Sequence, residues 1–390
     1  MALRQLTTTM KTDWKSILAS ASLALASALS SGPVCAQGVT EREVVVAQTA
    51  GFTGAVAGSV AEMTGGARLY IAAVNAAGGV NGRKITLISA DDKFDPKLAG
   101  ENAARLIAER EPVAFFAVRG TPHTEAVLAV AGRAGIPIVG PSTGALIFHQ
   151  PINPLIFNVR AKYQTEVEKA TEHLNTVGIN RIAIVHVNDS FGRDGLEGFT
   201  RKMDALKLKP AAVVVYERTL TEMSKPAAEL AKVDPQAVIL IASGKNAADL
   251  VVRMRAAGST TQFVAISNNS AKSFIRDLGS SARGVMVTQV FPNPFNSSTP
   301  IAREMRKLAA GDKDVVLSQA AMEGFVAAKV LVEGLRRAGR NLTRASLVAA
   351  LESIRNFDLG GITLSYGPQG RTGAEFVEMS IIDARGEFLQ

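Results

Sequence analysis

A regular alternation of short apolar runs and amphipathic stretches constrains the fold of this chain more than any other feature. The β-branched run 43–48 predicts a buried strand, and apolar residues within 58–76 recur on one face of a helix. A second strand at 84–90 leads to Asp95 and Pro96, which suit the N-cap and the first turn of another helix. The pattern continues to residue 140. This βαβαβαβ order is typical of a parallel sheet covered by helices on both faces.

A second series with the same plan begins after the turn-rich stretch 149–154. Its apolar runs predict five strands between residues 181 and 290, with helical patterns between them. The proline-containing stretch 291–299 then suggests a crossing segment, and three helical patterns and two strand-like runs complete the chain. Because one hydrophobic core rarely extends beyond about 250–300 residues, we expect two doubly wound α/β lobes.

The first 36 residues predict a cleaved signal peptide. Arg4, Lys11 and Lys15 form a basic start, and the uncharged run 16–29 follows them. Val34–Ala36 (VCA) then offers modest side chains for cleavage before Gln37. The apolar run is shorter than the roughly 20 residues that span a bilayer. Export to the periplasm is therefore expected, with a membrane anchor and a lipid-modified cysteine as the alternatives.

Removal of that segment leaves 354 residues without any cysteine, because Cys35 is the only one in the chain. A cysteine-free exported protein must be held together by its core. The whole chain carries a formal charge of +8, but the basic residues are dispersed. A nucleic-acid-binding surface needs a basic stripe with aromatic residues, and the sequence has none, so we expect no nucleic-acid partner.

The ends of the predicted strands are the natural place to look for a site, because doubly wound sheets bind ligands beyond their carboxyl ends. The turns there are rich in Ser, Thr, Asn and Gly, which suit carboxylates and amides. Ordinary helix capping is the alternative, and it suffices for Thr121 or Ser224 taken singly. Six turns at matching ends favour a binding site: 49–54, 119–124, 140–145, 188–192, 243–245 and 267–269.

Catalytic patterns are missing from the sequence. The chain has four histidines and no HExxH pair, no GxSxG motif, and no cysteine beyond the predicted signal. Residues 243–246 (SGKN) lack the earlier glycine and the following hydroxyl of a P-loop. Asp91 and Asp92 fit a polar loop better than a catalytic pair, and His186 fits a core position. We therefore expect a protein that is not an enzyme and uses no cofactor or metal.

The ordered set of short motifs resembles the type I periplasmic binding proteins of ABC importers, in their leucine/isoleucine/valine-binding branch. The likeness covers nearly all of residues 41–390. Its most specific part is the stretch 75–85 (NAAGGVNGRKI), and the remaining pieces match in order and spacing: 53–54, 91–92, 95–96, 134–138, 140–143, 157–160, 182–185, 189–192 and 255–258.

The resemblance implies two lobes joined by a three-segment hinge, with residues 37–160 and 291–371 in lobe 1 and residues 161–290 and 372–390 in lobe 2. It also implies a monomer that captures a small amino acid, amide or carboxylate between its closing lobes. The expected partners are the membrane permease and ATPase subunits of an importer. The alternative is a ligand-sensing receptor domain of a signalling system.

The family's ligand contacts carry over to positions that lie mostly in the turns named above. The residues that match are Thr121, Ser142, Thr143, Gly144, Tyr163, Phe191, Lys245, Ser267 and Asn268.

The sequence departs from the family at the turn where amino-acid binders usually place a carboxylate to pair the ligand's ammonium. Residues 267–270 (SNNS) contain no acid there. Arg119 and Lys245 instead favour a negative solute, unless both are simply solvated surface residues. Asp189 is a possible replacement for the missing acid. We expect a small carboxylate to bind at least as well as an α-amino acid.

Overall fold

Fifteen strands organise the part of the chain that the computed structural model describes, residues 38–389. The predicted signal peptide lies outside these residues. The strands are β1 Glu43–Ala50, β2 Lys84–Asp91, β3 Ala114–Phe116, β4 Ile138–Val139, β5 Ile156–Phe157, β6 Ile182–Val187, β7 Val213–Tyr216, β8 Ala237–Ile241, β9 Gln262–Ala265, β10 Met286–Gln289, β11 Phe357–Asp358, β12 Thr363–Gly367, β13 Gly370–Gly373, β14 Glu378–Ile382 and β15 Phe388–Leu389.

These strands form two large sheets and one small one. The first sheet has the order β2-β1-β3-β4-β5, and all of its neighbouring strands pair in parallel. The second has the order β15-β14-β10-β9-β8-β6-β7, and it is parallel except at β14 and β15. Strands β11, β12 and β13 form the small sheet. The central strands β6 and β8 are buried along their whole length, as expected for strands covered on both faces.

Eleven α-helices occur in the described residues, and they pack against the sheets and against each other. None of these helices is both long and apolar enough to cross a membrane. They are α1 Ala57–Ala76, α2 Pro96–Arg110, α3 Thr121–Ala131, α4 Tyr163–Thr176, α5 Ser190–Ala205, α6 Ser224–Val233, α7 Lys245–Ala256, α8 Lys272–Leu278, α9 Pro300–Ala309, α10 Gln319–Ala338 and α11 Arg344–Glu352.

The two parallel sheets confirm the predicted α/β class with two doubly wound series. The chain passes between the sheets three times, after β5, after β10 and after β13, which agrees with a three-segment hinge. The residue limits of the two lobes stay a prediction. Asp95 caps α2 as predicted, because its side chain accepts a hydrogen bond from the Lys97 N–H at 2.8 Å.

Two glycines set the distance between α1 and α10. A Cβ atom on Gly66 would lie 1.9 Å from the Ala321 carbonyl oxygen, and one on Gly324 would lie 1.8 Å from the Met63 carbonyl oxygen. Each helix therefore rests on the backbone of the other, and neither position has room for a methyl group.

We expect Gly66→Ala to destabilise the protein by about 1–3 kcal/mol, because the methyl group must push the two helices apart. The neighbouring Gly65→Ala is a matched control, since a Cβ at Gly65 meets nothing within 4 Å. The control should raise stability by roughly 0.5–1 kcal/mol through helix propensity alone. Urea-unfolding midpoints of the two variants measure the difference, and equal midpoints would contradict the close helix contact.

Candidate ligand-binding site

The carboxyl ends of strands from both large sheets meet at a narrow cleft, as the sequence predicts. About 250 Å³ of space lies between the atoms of this cleft, part of it open to solvent, and its interior has room for about one water molecule. Its lining comes from the segments that follow β2, β3, β4 and β5 in the first sheet, and β6, β7, β8 and β9 in the second. The lining residues are Phe94, Arg119, Gly120, Thr121, Ser142, Tyr163, Phe191, Arg218, Ser243 and Asn268.

Arg119 is the central charged group of the cleft, and only 5% of its surface is exposed. Its guanidinium donates to the Ser142 hydroxyl at 2.8 Å, to the Ser59 hydroxyl at 3.4 Å, and to the Asn268 carbonyl at 2.7 Å. Asn268 follows β9, so this last bond joins the ends of the two sheets. Burial lowers the pKa of Arg119 from its ordinary value, yet an arginine stays charged near neutral pH.

All three of these partners are neutral oxygens, and no acidic side chain within residues 38–389 forms an ion pair with Arg119. A guanidinium has five N–H donors, so two remain for another group. A buried cation that forms no ion pair is costly; the Glu323 carboxylate offsets part of this cost through space, and an anionic ligand would offset more of it. The arrangement is therefore suited to a carboxylate.

Thr121 and Thr143 lie beside Arg119 and bond to each other, with 2.8 Å between their hydroxyl oxygens. The N-cap of α3 is Gly120, which has a φ of 98° and no capping side chain. The alternative that Thr121 is an ordinary helix cap is therefore wrong. The positive φ of Gly120 turns the chain just before the helix begins. The Thr121 hydroxyl therefore lies among the polar groups of the cleft.

Two aromatic rings form one wall. The rings of Tyr163 and Phe191 meet edge to face with their centroids 5.0 Å apart. The Arg160 guanidinium covers the Tyr163 ring at 4.8 Å from its centroid. The Tyr163 hydroxyl makes no hydrogen bond to any residue that the structure describes, which leaves it available to a ligand in the cleft.

Phe94 forms the opposite wall. Its ring stacks on His123 at a centroid distance of 4.6 Å, and the Arg218 guanidinium lies 4.7 Å from its centroid. Phe94 has a left-handed φ of 62°, and its N–H donates to the Asp92 carboxylate at 2.9 Å. Asp92 is fully buried, and that burial raises its pKa to about 7. The Asp91–Asp92 pair thus supports a loop, as expected.

Asp189 is already committed to structural contacts. Its carboxylate accepts from the N–H groups of Phe191 at 2.9 Å and Gly192 at 3.1 Å, which caps α5. It also pairs with Arg218, whose Nε donates to it at 2.8 Å. The possibility that Asp189 replaces the missing acid is therefore not supported by its position.

Ser267 lies in a buried group of polar side chains beneath the cleft, here called the hinge network: Arg160, Glu166, Ser267, Thr288 and Glu323. Arg160 pairs with Glu166 at 2.9 Å and with Glu323 at 3.3 Å. Burial alone would lower the pKa of Arg160, but the nearby carboxylates outweigh it and raise that pKa.

Ser267, a predicted ligand contact, lies in the hinge network and not in the cleft lining, and its role in binding stays a prediction. Its N–H and its hydroxyl both donate to Glu166, at 2.9 and 2.8 Å. The side chain therefore turns away from the cleft toward the junction of the sheets, because a buried carboxylate needs several donors.

Two further predicted contacts also lie outside the cleft lining. The Lys245 side chain is exposed at the start of α7, and its N–H bonds the Ala55 carbonyl at 3.1 Å. Gly144 packs against the hinge, because a Cβ atom added to it would lie 2.6 Å from the Ala161 carbonyl oxygen. Thr143 bonds the lining residue Thr121 but does not itself line the cleft. The remaining predicted residues line the cleft: Thr121, Ser142, Tyr163, Phe191 and Asn268. Their roles as ligand contacts stay predictions.

Sequence reasoning missed two lining residues, Phe94 and Arg218. Phe94 lies three positions after β2, and Arg218 lies two positions after β7. Both are at the same strand ends as the rest of the site, but neither is in one of the six polar turns. A search after every predicted strand for aromatic and basic side chains would have found them.

Comparisons with known proteins agree with this fold. The sequence model of the family described as "Periplasmic binding protein" matches residues 43–377. A solved substrate-binding periplasmic protein from Ralstonia solanacearum has 34% sequence identity and a TM-score of 0.85, over 89% of this chain and 99% of that one.

Two sequence relatives are named for binding. The leucine-specific-binding protein of Salmonella typhimurium is 24% identical over 346 residues, which cover 85% of this chain and 87% of that protein. An amino acid binding protein of Pseudomonas aeruginosa is 28% identical over 227 residues, but that match spans only 60% of its length. These relatives are solute-binding proteins, in agreement with the expectation that this chain is not an enzyme. The family match over most of the chain shows that it belongs to the periplasmic binding proteins, in the type I family that also contains the Leu/Ile/Val-binding proteins.

Proposed function

We propose that this protein is the extracytoplasmic solute-binding component of an ABC importer, and that it captures a small amino acid, amide or carboxylate between two closing lobes. The buried guanidinium of Arg119 carries this proposal. It sits where the two sheets meet, bonds groups from both, and keeps donors free for a polar head group. The names of the relatives from Salmonella and Pseudomonas support the same class of solute.

Several polar contacts cross the cleft and would break if the lobes separated. Besides the bond from Arg119, the Leu146 N–H donates to Asp194 at 2.9 Å. The Glu62 carboxylate of α1 accepts from the N–H groups of Lys272 and Ser273 at the start of α8, at 2.9 and 2.8 Å. Contacts that exist only in the closed form favour two discrete states, and a ligand that bridges both sides shifts the balance between them.

Delivery to a membrane permease and its ATPase subunits follows from this role, and so does a monomeric protein in the periplasm. Export by the signal peptide 1–36 is part of the proposal. Within residues 38–389 no feature favours the alternative of a receptor domain for signalling.

Ligand-driven closure is the test. A thermal-shift screen over amino acids, amides and small carboxylates should find ligands, since a hundredfold excess over Kd adds about 2.7 kcal/mol of stability. Small-angle scattering with a ligand from that screen should then give a smaller radius of gyration than the free protein. A screen without any stabilising solute would contradict the capture function, and an unchanged radius at saturation would contradict closure.

A further inference from the structure

We propose that the cleft selects carboxylates that lack an α-ammonium group. This inference rests on the proposed capture function and narrows its ligand class. It departs from the amino acids for which the relatives are named.

The charge of the lining is the first observation. Both ionised side chains that line the cleft are arginines, Arg119 and Arg218, and none of the ten lining residues is acidic. An ammonium group enclosed there would lose its water and lie close to the guanidinium of Arg119, which has no ion-pair partner within the described residues, while Asp189 balances the charge of Arg218. Burial without a partner and like-charge repulsion both disfavour that state.

The acids around the cleft already have partners. Asp189 is held by Arg218 and by the start of α5. Glu166 accepts from Arg160, Ser267 and Thr288, and Glu323 pairs with Arg160. None of these carboxylates lines the cleft, so an ammonium in the cleft would reach one only if the lining residues moved.

Three other acids accept hydrogen bonds from neutral groups, and none of them lines the cleft. Glu125 accepts from the Ser190 hydroxyl, and Asp92 accepts from the Thr49 hydroxyl at 3.0 Å and from the backbone at Phe94. Asp194 bonds Leu146 and Gln164, and it is not among the residues that line the cleft.

A carboxylate, in contrast, meets suitable groups. The two unused N–H donors of Arg119 and the hydroxyl of Tyr163 both belong to the lining. Hydrogen bonds between a guanidinium and a carboxylate are charge-assisted, so they are the strong kind. The lining thus binds the carboxylate of the ligand and offers no partner for an ammonium group.

Matched ligand series test this inference by calorimetry on the full mature protein. One series is leucine, 4-methyl-2-oxopentanoate and 4-methylpentanoate, and the other is phenylalanine, phenylpyruvate and 3-phenylpropanoate. Each series keeps the side chain and removes the ammonium. We expect the ammonium-free acids to bind at least about tenfold more tightly than the amino acid in the series whose side chain fits. The uncharged amide, 4-methylpentanamide or 3-phenylpropanamide, is the control, and it should bind at least about tenfold more weakly than its acid.

Tighter binding of leucine or phenylalanine than of every ammonium-free analogue would overturn the inference while leaving the capture function intact. Equal binding of an acid and its amide would overturn the role of the negative charge. If no compound of either series bound, both this inference and the proposed carboxylate or amino-acid ligand class would fail.

Discussion

Replacement of Arg119 by methionine should weaken the binding of a carboxylate ligand by at least about a hundredfold. The variant loses two charge-assisted hydrogen bonds, and each contributes on the order of 1.5–3 kcal/mol. Arg119→Lys should recover only part of the affinity, because an ammonium keeps the charge but not the planar fork. Calorimetry with the tightest acid from the matched series measures both variants.

The matched control is Arg133→Met, which removes an arginine that is exposed and lies outside the cleft. Its affinity for the acid should stay within about twofold of the parent, because a remote exposed charge interacts weakly through water. If Arg119→Met kept an affinity within about threefold of the parent, Arg119 would not be the anchor of the head group. Unfolding curves separate lost binding from lost folding.

Replacement of Arg160 by methionine should destabilise the protein by about 3–5 kcal/mol. Glu166 and Arg160 are fully buried, and Glu323 is nearly so. Removing the cation leaves two carboxylates in a dry environment without their counter-charge, which is among the most costly single changes. The urea midpoint of the first unfolding transition is the measurement.

An exposed ion pair provides the control for this variant. Arg201 pairs with Glu168, and 53% of the arginine side chain is open to solvent. Arg201→Met should cost less than about 1 kcal/mol, because water already solvates both groups. A similar loss in the two variants would mean that the hinge network contributes no more than a surface pair.

The Arg160 variant also bears on the link between hinge and site. Arg160 covers the ring of Tyr163, and its partner Glu166 bonds Ser267 beside the lining residue Asn268. The same buried ion pairs therefore hold both the segment that follows β5 and the turn that carries Asn268. These ion pairs give a physical reason why the hinge can bend while both sheets keep their packing.

The local pattern of apolar residues in the sequence determined the architecture of this protein. Continuous apolar runs and period-3.6 repeats in the sequence predict the alternation of strands and helices, because strands covered on both faces are apolar throughout and each helix buries one apolar face. The strand-end rule predicts which turns meet, since parallel strands end together at one edge of a sheet, and the binding role of the residues there stays a prediction. Thr121, Ser142 and Phe191 lie in the cleft for this reason.

Only the tertiary structure decided which polar groups meet. Arg119 bonds the carbonyl of Asn268, a residue 149 positions away, and Phe94 packs against Arg218. Ser267 bonds Glu166, which is 101 positions away in the sequence. Short-range periodicity carries no information about such pairs. They are set by the way two sheets pack end to end, and by the need of each buried charge in that junction for a partner.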